Sequence, residues 1–215
     1  MNFLVILGPP GSGKGTLSRQ LQDVHQFTPI STGEVIRQKM ADPLSEVGKA
    51  FAPFMDRGDY IPDSLALDLF QDIITDFDPD ARVALDGFPR TVPQAEIFAD
   101  WIKQENHHLV GCVFLDVAVE IAIERMNARL VCPNCRSTFP RIAGHPAGAA
   151  CLSCGGELMP REDDDPVRMR QRMLRHDQVT APLRDWFQQR NQLLALNAGQ
   201  TTTALREEIE NTFNL

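Results

Sequence analysis

The chain has no surplus of positive charge. Its 21 Lys and Arg face 29 Asp and Glu, a formal net charge of −8. Neutralising a nucleic-acid backbone requires the opposite balance, so any bound phosphate must be held by local clusters and no nucleic-acid partner is expected. No apolar run approaches the roughly 18 residues of a membrane-spanning helix, so no membrane partner is expected either. The opening Met1-Asn2-Phe3-Leu4-Val5-Ile6-Leu7 carries no basic segment and is too short for a secretory signal. A cytoplasmic protein is the expectation. There is no disordered tail, and there are only 5 cysteines, four of them in two CxxC pairs, a usage that points to metal rather than disulfides in a cytosolic chain. What is present is 215 residues, 43% hydrophobic and 23% charged, enough for one core with insertions.

The most informative stretch is Gly8-Pro9-Pro10-Gly11-Ser12-Gly13-Lys14-Gly15-Thr16, between the apolar run Phe3 to Leu7 and a segment with Leu17, Leu21 and Val24 at helical spacing. A strand, a glycine-rich turn and a helix N-terminus in that order form a phosphate cradle. Successive amides point inward, and Lys14 adds a full charge. The general pattern of this loop has Ser or Thr directly after the lysine, where it holds Mg²⁺; here Gly15 intervenes before Thr16.

Two further stretches carry chemistry. Ser31-Thr32-Gly33-Glu34 has the spacing of a helix capping box, and Arg37 follows it. Val83-Ala84-Leu85-Asp86-Gly87-Phe88-Pro89-Arg90 is an apolar strand ending in a carboxylate. An aspartate at the carboxyl end of a strand beside a phosphate loop is placed to hold Mg²⁺ directly or through water. Arg90 in the following turn offers a two-pronged grip on phosphate oxygens.

Between residues 44 and 55 the apolar positions follow helical spacing, with Pro53 expected to kink or shorten the helix. A second helix is expected after Pro62. His107-His108 is expected in an exposed turn, and Cys112 in the middle of a strand as a buried small hydrophobe. Ala118 to Arg129 is expected as a helix with Arg125 and Arg129 on one face, Thr180-Ala181-Pro182-Leu183 as the opening of another, Leu193 to Leu196 as a last strand and Leu205, Ile209 and Phe213 as the stripe of a terminal helix.

Cys132 and Cys135 are separated by fifteen residues from Cys151 and Cys154. This is zinc-ribbon spacing: each pair makes a knuckle, and four thiolates complete a tetrahedron. The segment between them has no helical stripe and four Pro or Gly, so the metal substitutes for a core. A closed four-thiolate site has no open coordination position and is structural. A redox disulfide pair is the alternative.

Gly13-Lys14-Gly15-Thr16, Ser31-Thr32-Gly33 with Arg37, and Asp86-Gly87-Phe88-Pro89-Arg90-Thr91 together resemble the adenylate kinases of the long-lid bacterial type, over essentially the whole chain. The resemblance implies reversible, Mg²⁺-dependent transfer of the ATP γ-phosphoryl group to AMP, giving two ADP, in adenine nucleotide homeostasis. It implies a P-loop α/β/α fold around a mostly parallel five-stranded sheet. The core would comprise residues 1–30, 62–124 and 162–215, the AMP-binding flap residues 31–61, and the lid with a structural Zn²⁺ residues 125–161. A monomer is expected.

Residue by residue, the resemblance places Gly11, Ser12, Gly13, Lys14, Gly15 and Thr16 around the ATP phosphates. Arg125 would stack on the ATP adenine, Arg129 contact phosphate, and Thr138 and Phe139 cover the nucleotide. On the acceptor side Thr32 contacts AMP, Arg37 clamps its α-phosphate, and Asp59, Tyr60 and Ile61 contact its base. Gly87, Phe88, Pro89 and Arg90 line the same site, and Gln94 hydrogen-bonds adenine. Arg161 and Arg172 would close over the transferring group, joining Lys14, Arg90 and Arg125 as catalytic residues. Three departures stand out: Glu34 where the family more often has Asp, Leu130 where it often has a further arginine, and Thr138-Phe139 where it more often has Tyr-His or Val-Tyr. The rival readings are a UMP or CMP kinase, against which Thr32 and Gln94 argue, and a zinc-ribbon nucleic-acid-binding ATPase, against which the acidic run 162–165 argues.

Overall fold

Five parallel strands form the central sheet in the computed structural model, which describes all residues except 58, 60, 136–137, 141–145 and 161–165, and only the backbone of 140, 166–169, 171 and 172. The strands are β1 (Asn2–Leu7), β2 (Phe27–Ser31), β3 (Arg82–Asp86), β4 (His108–Asp116) and β8 (Leu193–Asn197), in the order β2-β3-β1-β4-β8. Helices α1 (Lys14–His25), α4 (Asp63–Ile74), α5 (Val92–Gln104), α7 (Pro166–Gln188) and α8 (Thr202–Phe213) complete the core. The expected parallel α/β architecture is what is observed.

Covering both faces of the sheet explains why its strands are apolar runs rather than alternating ones. Phe3, Val5 and Leu7 of β1 pack with Val83, Leu85 and Phe114 against Phe70 of α4, Phe98 of α5 and Phe187 of α7. Leu4 and Ile6 turn to the other side, with Ala84, Val113 and Leu115, against Leu17 and Leu21 of α1 and Leu205 and Ile209 of α8. The first layer is aromatic: Phe3 meets Phe98 edge-on at 5.5 Å, and Phe70 stacks on Phe88 at 4.5 Å. Such pairs each add about 0.5–1.5 kcal/mol beyond area burial. Cys112 is fully buried in β4, and burial pushes its thiol well above the usual range.

Two inserts leave this core. Between β2 and β3, α2 (Thr32–Ala41) and α3 (Glu46–Arg57) pack through Ile36 and Phe51 onto Leu69 of α4. Between α6 (Val119–Asn127) and α7, strands β5 (Arg129–Val131), β6 (Thr138–Pro140) and β7 (Met159–Pro160) make a small antiparallel sheet in the order β6-β5-β7. No described helix is long and apolar enough to cross a membrane.

Local expectations fail at five places. Ser31 does stand at the N-cap of α2, but its side chain makes no capping bond; Glu34 turns instead to Arg37, because a charge-assisted bond outweighs a neutral cap. Pro53 does not end α3, which continues to Arg57. Thr180 opens no helix: α7 runs 23 residues with Pro182 inside it, held by packing of Leu183, Trp186 and Phe187 into the core. Arg129 lies past the end of α6, in β5. His107 is half-buried, its Nδ1 3.0 Å from the Met1 nitrogen and its ring 4.9 Å from Trp101, and only His108, the first residue of β4, is exposed.

The α2–α3 contact turns on Gly48. A Cβ there would stand 2.3 Å from the Lys39 carbonyl oxygen and 2.9 Å from Met40 Cα, backbone that cannot move without parting the two helices. Gly48→Ala is therefore expected to lower the melting temperature. Overpacking costs about 1–3 kcal/mol, more than the roughly 0.8–1.0 kcal/mol by which Ala surpasses Gly in a helix. Thermal unfolding of the variant checks this, and an unchanged or raised Tm contradicts the close approach.

Candidate functional site

The carboxyl ends of the parallel strands open into one cleft of about 1030 Å³, at the point where the chain order reverses around β1, as expected of ligand sites in doubly wound sheets. Its floor is the loop after β1. Gly8, Gly11 and Gly13 take φ values of 145°, 82° and 98°, and Gly13 caps α1 in the left-handed region. At Gly11 the space is also missing, since a Cβ would lie 2.4 Å from the Ala122 carbonyl of α6. Ser12 Oγ is buried with no hydrogen-bond partner among the described residues. Gly11, Ser12, Gly13, Lys14, Gly15 and Thr16 all line the cleft.

Lys14 Nζ donates to the carbonyls of Gly8 at 2.8 Å and Pro9 at 3.1 Å and stands 4.0 Å from Asp86 Oδ1. Asp86 ends β3, next to β1, so strand pairing puts this carboxylate beside the loop. Arg90, in the turn after Gly87, bends back so that its Nε donates to the Gly87 carbonyl at 2.8 Å. Asp86, Gly87 and Arg90 line the cleft.

Over β2 and β3 the wall becomes apolar. Val35, Met55, Ile61 and Ile73 line it, together with Arg37 and Asp59. Arg37 is engaged by Glu34 at 2.8 Å. Asp59 is held by Arg57 at 2.7 Å and by Arg175 of α7 at 2.5 Å; the Arg57 hydrogen bond, aided by Arg175, keeps its carboxyl below the usual range. Four expected acceptor residues stand behind the wall. Thr32 Oγ1 donates to the Gly87 carbonyl at 2.9 Å, Phe88 and Pro89 are buried, and the Gln94 amide receives the Arg90 N–H at 2.8 Å and donates to Asp63 at 2.7 Å. Tyr60 and Arg161, and the side chain of Arg172, lie outside the described residues.

Over β4 and β8 the cleft is lined by Arg125, Arg129, Thr138, Phe139 and Ala198. Arg125 donates to the Ala198 carbonyl at 2.8 Å. Arg19 of α1 bridges to the small sheet, donating to Gly15 at 3.2 Å and Thr138 at 3.1 Å through their carbonyls.

Beyond this end the four cysteines of the two pairs converge. Cys132 Sγ is 3.5 Å from Cys154 Sγ, Cys135 Sγ is 3.5 Å from Cys151 Sγ, and all four sulfurs lie within 4.8 Å of one another. A tetrahedral ion with metal–sulfur bonds of about 2.3 Å needs sulfurs about 3.8 Å apart, so the donor set fits. The Gly156 amide lowers Cys154, but hydrogen bonding with the Cys135 and Cys132 thiols, burial and Cys151 outweigh it and push Cys154 up to about 12. A cation bound by these sulfurs would displace the thiol protons.

Sequence reasoning missed Arg19 and His176, and Arg175, which the sequence suggests as a solvent-facing partner of the acidic run 162–165, lines the cleft and pairs with Asp59. His176 and Thr180 both line the cleft, one turn apart on α7; starting a helix at Thr180 concealed their common face. Burial, then the charges of Lys14 and Arg90, push His176 down to about 3 against a hydrogen bond with the Gly8 backbone.

Comparison with known proteins agrees with this geometry. The family model described as Adenylate kinase matches residues 6–192. The chain is similar to proteins named Adenylate kinase from Lactobacillus acidophilus, 34% identical over 209 residues covering 96% of this chain and 95% of the relative, and from Clostridium novyi, 33% identical over 214 residues covering 97% and 96%. A third, from Thermotoga maritima, is 35% identical over 188 residues covering 87% and 86%. A phosphate loop, a strand-end aspartate with its arginine turn and a four-cysteine insert stand on one parallel sheet, in a sequence related along nearly its full length to these enzymes, and the chain belongs to the adenylate kinase family.

Proposed function

We propose that the cleft binds ATP over β4 and β8 and AMP over β2 and β3, with the γ-phosphoryl group passing between them above β1. The observation that carries this reading is the continuity of the cleft: one space joins the glycine loop and Lys14 to the apolar wall over β2 and β3 on one side and to Arg125, Arg129, Thr138 and Phe139 on the other. Gly11 to Thr16 with Lys14 hold the ATP phosphates, and Arg125, Arg129, Thr138 and Phe139 its remainder. Arg37, Asp59, Tyr60 and Ile61 receive AMP. Gly87 and Arg90 face its phosphate, Thr32, Phe88 and Pro89 shape that turn from behind, and Gln94 would have to exchange its bonds with Asp63 and the Arg90 N–H to reach adenine. Arg161 and Arg172 complete the charge around the transferring group.

No side chain is needed as a base, since a monophosphate oxygen is already ionised; positioning and charge stabilisation carry the rate. Lys14 and Arg90 neutralise charge that spreads over the phosphoryl oxygens. Asp86 offers the oxygen donor that a nucleotide-bound Mg²⁺ would accept directly or through water; the ion would neutralise phosphate charge when bound. We assign residues 31–61 as the flap and 125–161 as the lid, whose four thiolates hold a structural Zn²⁺. Closure of both excludes water and prevents hydrolysis of ATP. The enzyme acts as a cytoplasmic monomer whose partners are nucleotides.

A coupled assay with AMP, UMP and CMP side by side tests the assignment: AMP is expected to be the strongly preferred acceptor, and preference for a pyrimidine nucleotide would overturn it. Lys14→Ala and Arg90→Ala should each lower kcat on the order of 10²–10³-fold or more with the fold retained by circular dichroism; wild-type rates contradict their roles. Stripping the metal with a chelator, or Cys132→Ala, should lower the melting temperature of the lid while leaving the central sheet folded. An unchanged thermal profile contradicts a structural metal.

A further inference from the structure

Arg19 joins the phosphate loop to the small antiparallel sheet, and the transfer reaction above gives it no part. It stands one turn beyond Gly15 on α1, half-buried, and lines the cleft. Side chains on a helix lean toward its N-terminus, so the guanidinium lies back over the first turn. There its Nε donates to the Gly15 carbonyl at 3.2 Å, while Nη2 donates to the Thr138 carbonyl of β6 at 3.1 Å. One planar fork thereby joins segments 119 residues apart in the chain, a bridge that the single ammonium of a lysine does not reproduce.

The strand held by this bridge lies over the donor side of the cleft. Thr138 pairs with Val131 and Phe139 with Leu130 across β6 and β5, and Thr138 and Phe139 both line the cleft. The apolar cluster of the small sheet, Leu130 and Leu158 with Cys132, Cys151 and Phe139, shares no residue with either core cluster of the central sheet. Its internal cohesion therefore does not set where it sits over α1, whereas a bond from α1 to β6 does. Both acceptors are backbone carbonyls, so the tie acts on the strand itself, whatever side chains stand at 138 and 139. We propose that Arg19 is a positioning residue for the donor nucleotide: it holds β6 against the first turn of α1 and so keeps Thr138 and Phe139 over the side of the cleft that receives ATP. This rests on the assignment of ATP to that side.

The bond biases the equilibrium between a small sheet docked on α1 and one that has moved away, and a nucleotide that needs the docked form binds in proportion to that form's population. Its loss raises the KM for ATP by the factor by which docking weakens, about 3–10-fold for one hydrogen bond. AMP, over β2 and β3, meets neither Thr138 nor Phe139, and its KM stays as it is. At saturating ATP the nucleotide's own contacts restore docking, so kcat falls by less than the KM rises.

The test pairs a distance with a rate in Arg19→Met, which keeps an apolar stem and removes both donors, and in Arg19→Lys. Dyes on noncanonical side chains at the exposed Ala147 of the insert and the exposed Glu208 of α8 report the separation by single-molecule energy transfer without nucleotide, since α8 packs on α1 through Leu205 and Ile209. Arg19→Met is expected to populate a longer distance than the wild type and to raise the KM for ATP severalfold with the KM for AMP unchanged. Arg19→Lys should lie between the two proteins in both readouts. An unchanged distance distribution, or a longer distance with an unchanged KM for ATP, overturns the inference. A longer distance with weakened AMP binding in place of ATP overturns the assignment of the two sides and leaves the tie standing. If Arg19→Met does not fold, Arg19→Lys decides the matter on the same readouts.

Discussion

Positive charge held at the open edge of a parallel sheet must be met by lone pairs or by opposite charge. Lys14 rests on the carbonyls of Gly8 and Pro9 and near Asp86. Arg90 rests on the Gly87 carbonyl, Arg125 on that of Ala198 and Arg37 on Glu34. These acceptors are backbone oxygens or carboxylates, groups that offer the lone pairs a phosphate would offer with less charge. The cations are thereby kept in place and in orientation, which is the preorganisation that electrostatic stabilisation of a charged transition state requires.

The architecture serves that arrangement. Apolar burial on both faces fixes the strands, and parallel pairing of β1 with β3 brings Asp86 level with the start of the loop. The inserts also meet the cleft through polar contacts: Asp59 meets Arg175 through a half-buried ion pair, and Thr138 meets Arg19 through a single carbonyl. Contacts of this kind are individually worth about 1 kcal/mol or less, and the first insert is held to α4 by the apolar cluster of Ile36, Phe51 and Leu69 besides. The small sheet has few apolar residues of its own, chiefly Leu130, Phe139 and Leu158 around Cys132 and Cys151, and the four sulfurs converge beside them.

The strands and the loop were legible in the sequence because their signals are local. Apolar runs bounded by Gly8 and Asp86, and the spacing of the four cysteines, are properties of neighbours in the chain. What was not legible depends on competition between partners. Ser31 has the spacing of a cap, but Glu34 prefers Arg37. Pro182 reads as a helix start, yet burial of Leu183, Trp186 and Phe187 keeps α7 continuous through it. His176 and Arg19 carry no motif; their place in the cleft follows only once α7 and α1 are laid against the loop. Asp63, which fixes both Thr91 and Gln94, is likewise invisible without the fold.

The most direct test of this account is a crystal structure with the five-phosphate dinucleotide bound. Lys14 Nζ and the Arg90 guanidinium are expected to leave the Gly8, Pro9 and Gly87 carbonyls and lie within hydrogen-bond distance of phosphate oxygens, with the adenosines on opposite sides of the loop. A bound dinucleotide with both cations still on those carbonyls would contradict the idea that backbone oxygens hold the place of phosphate.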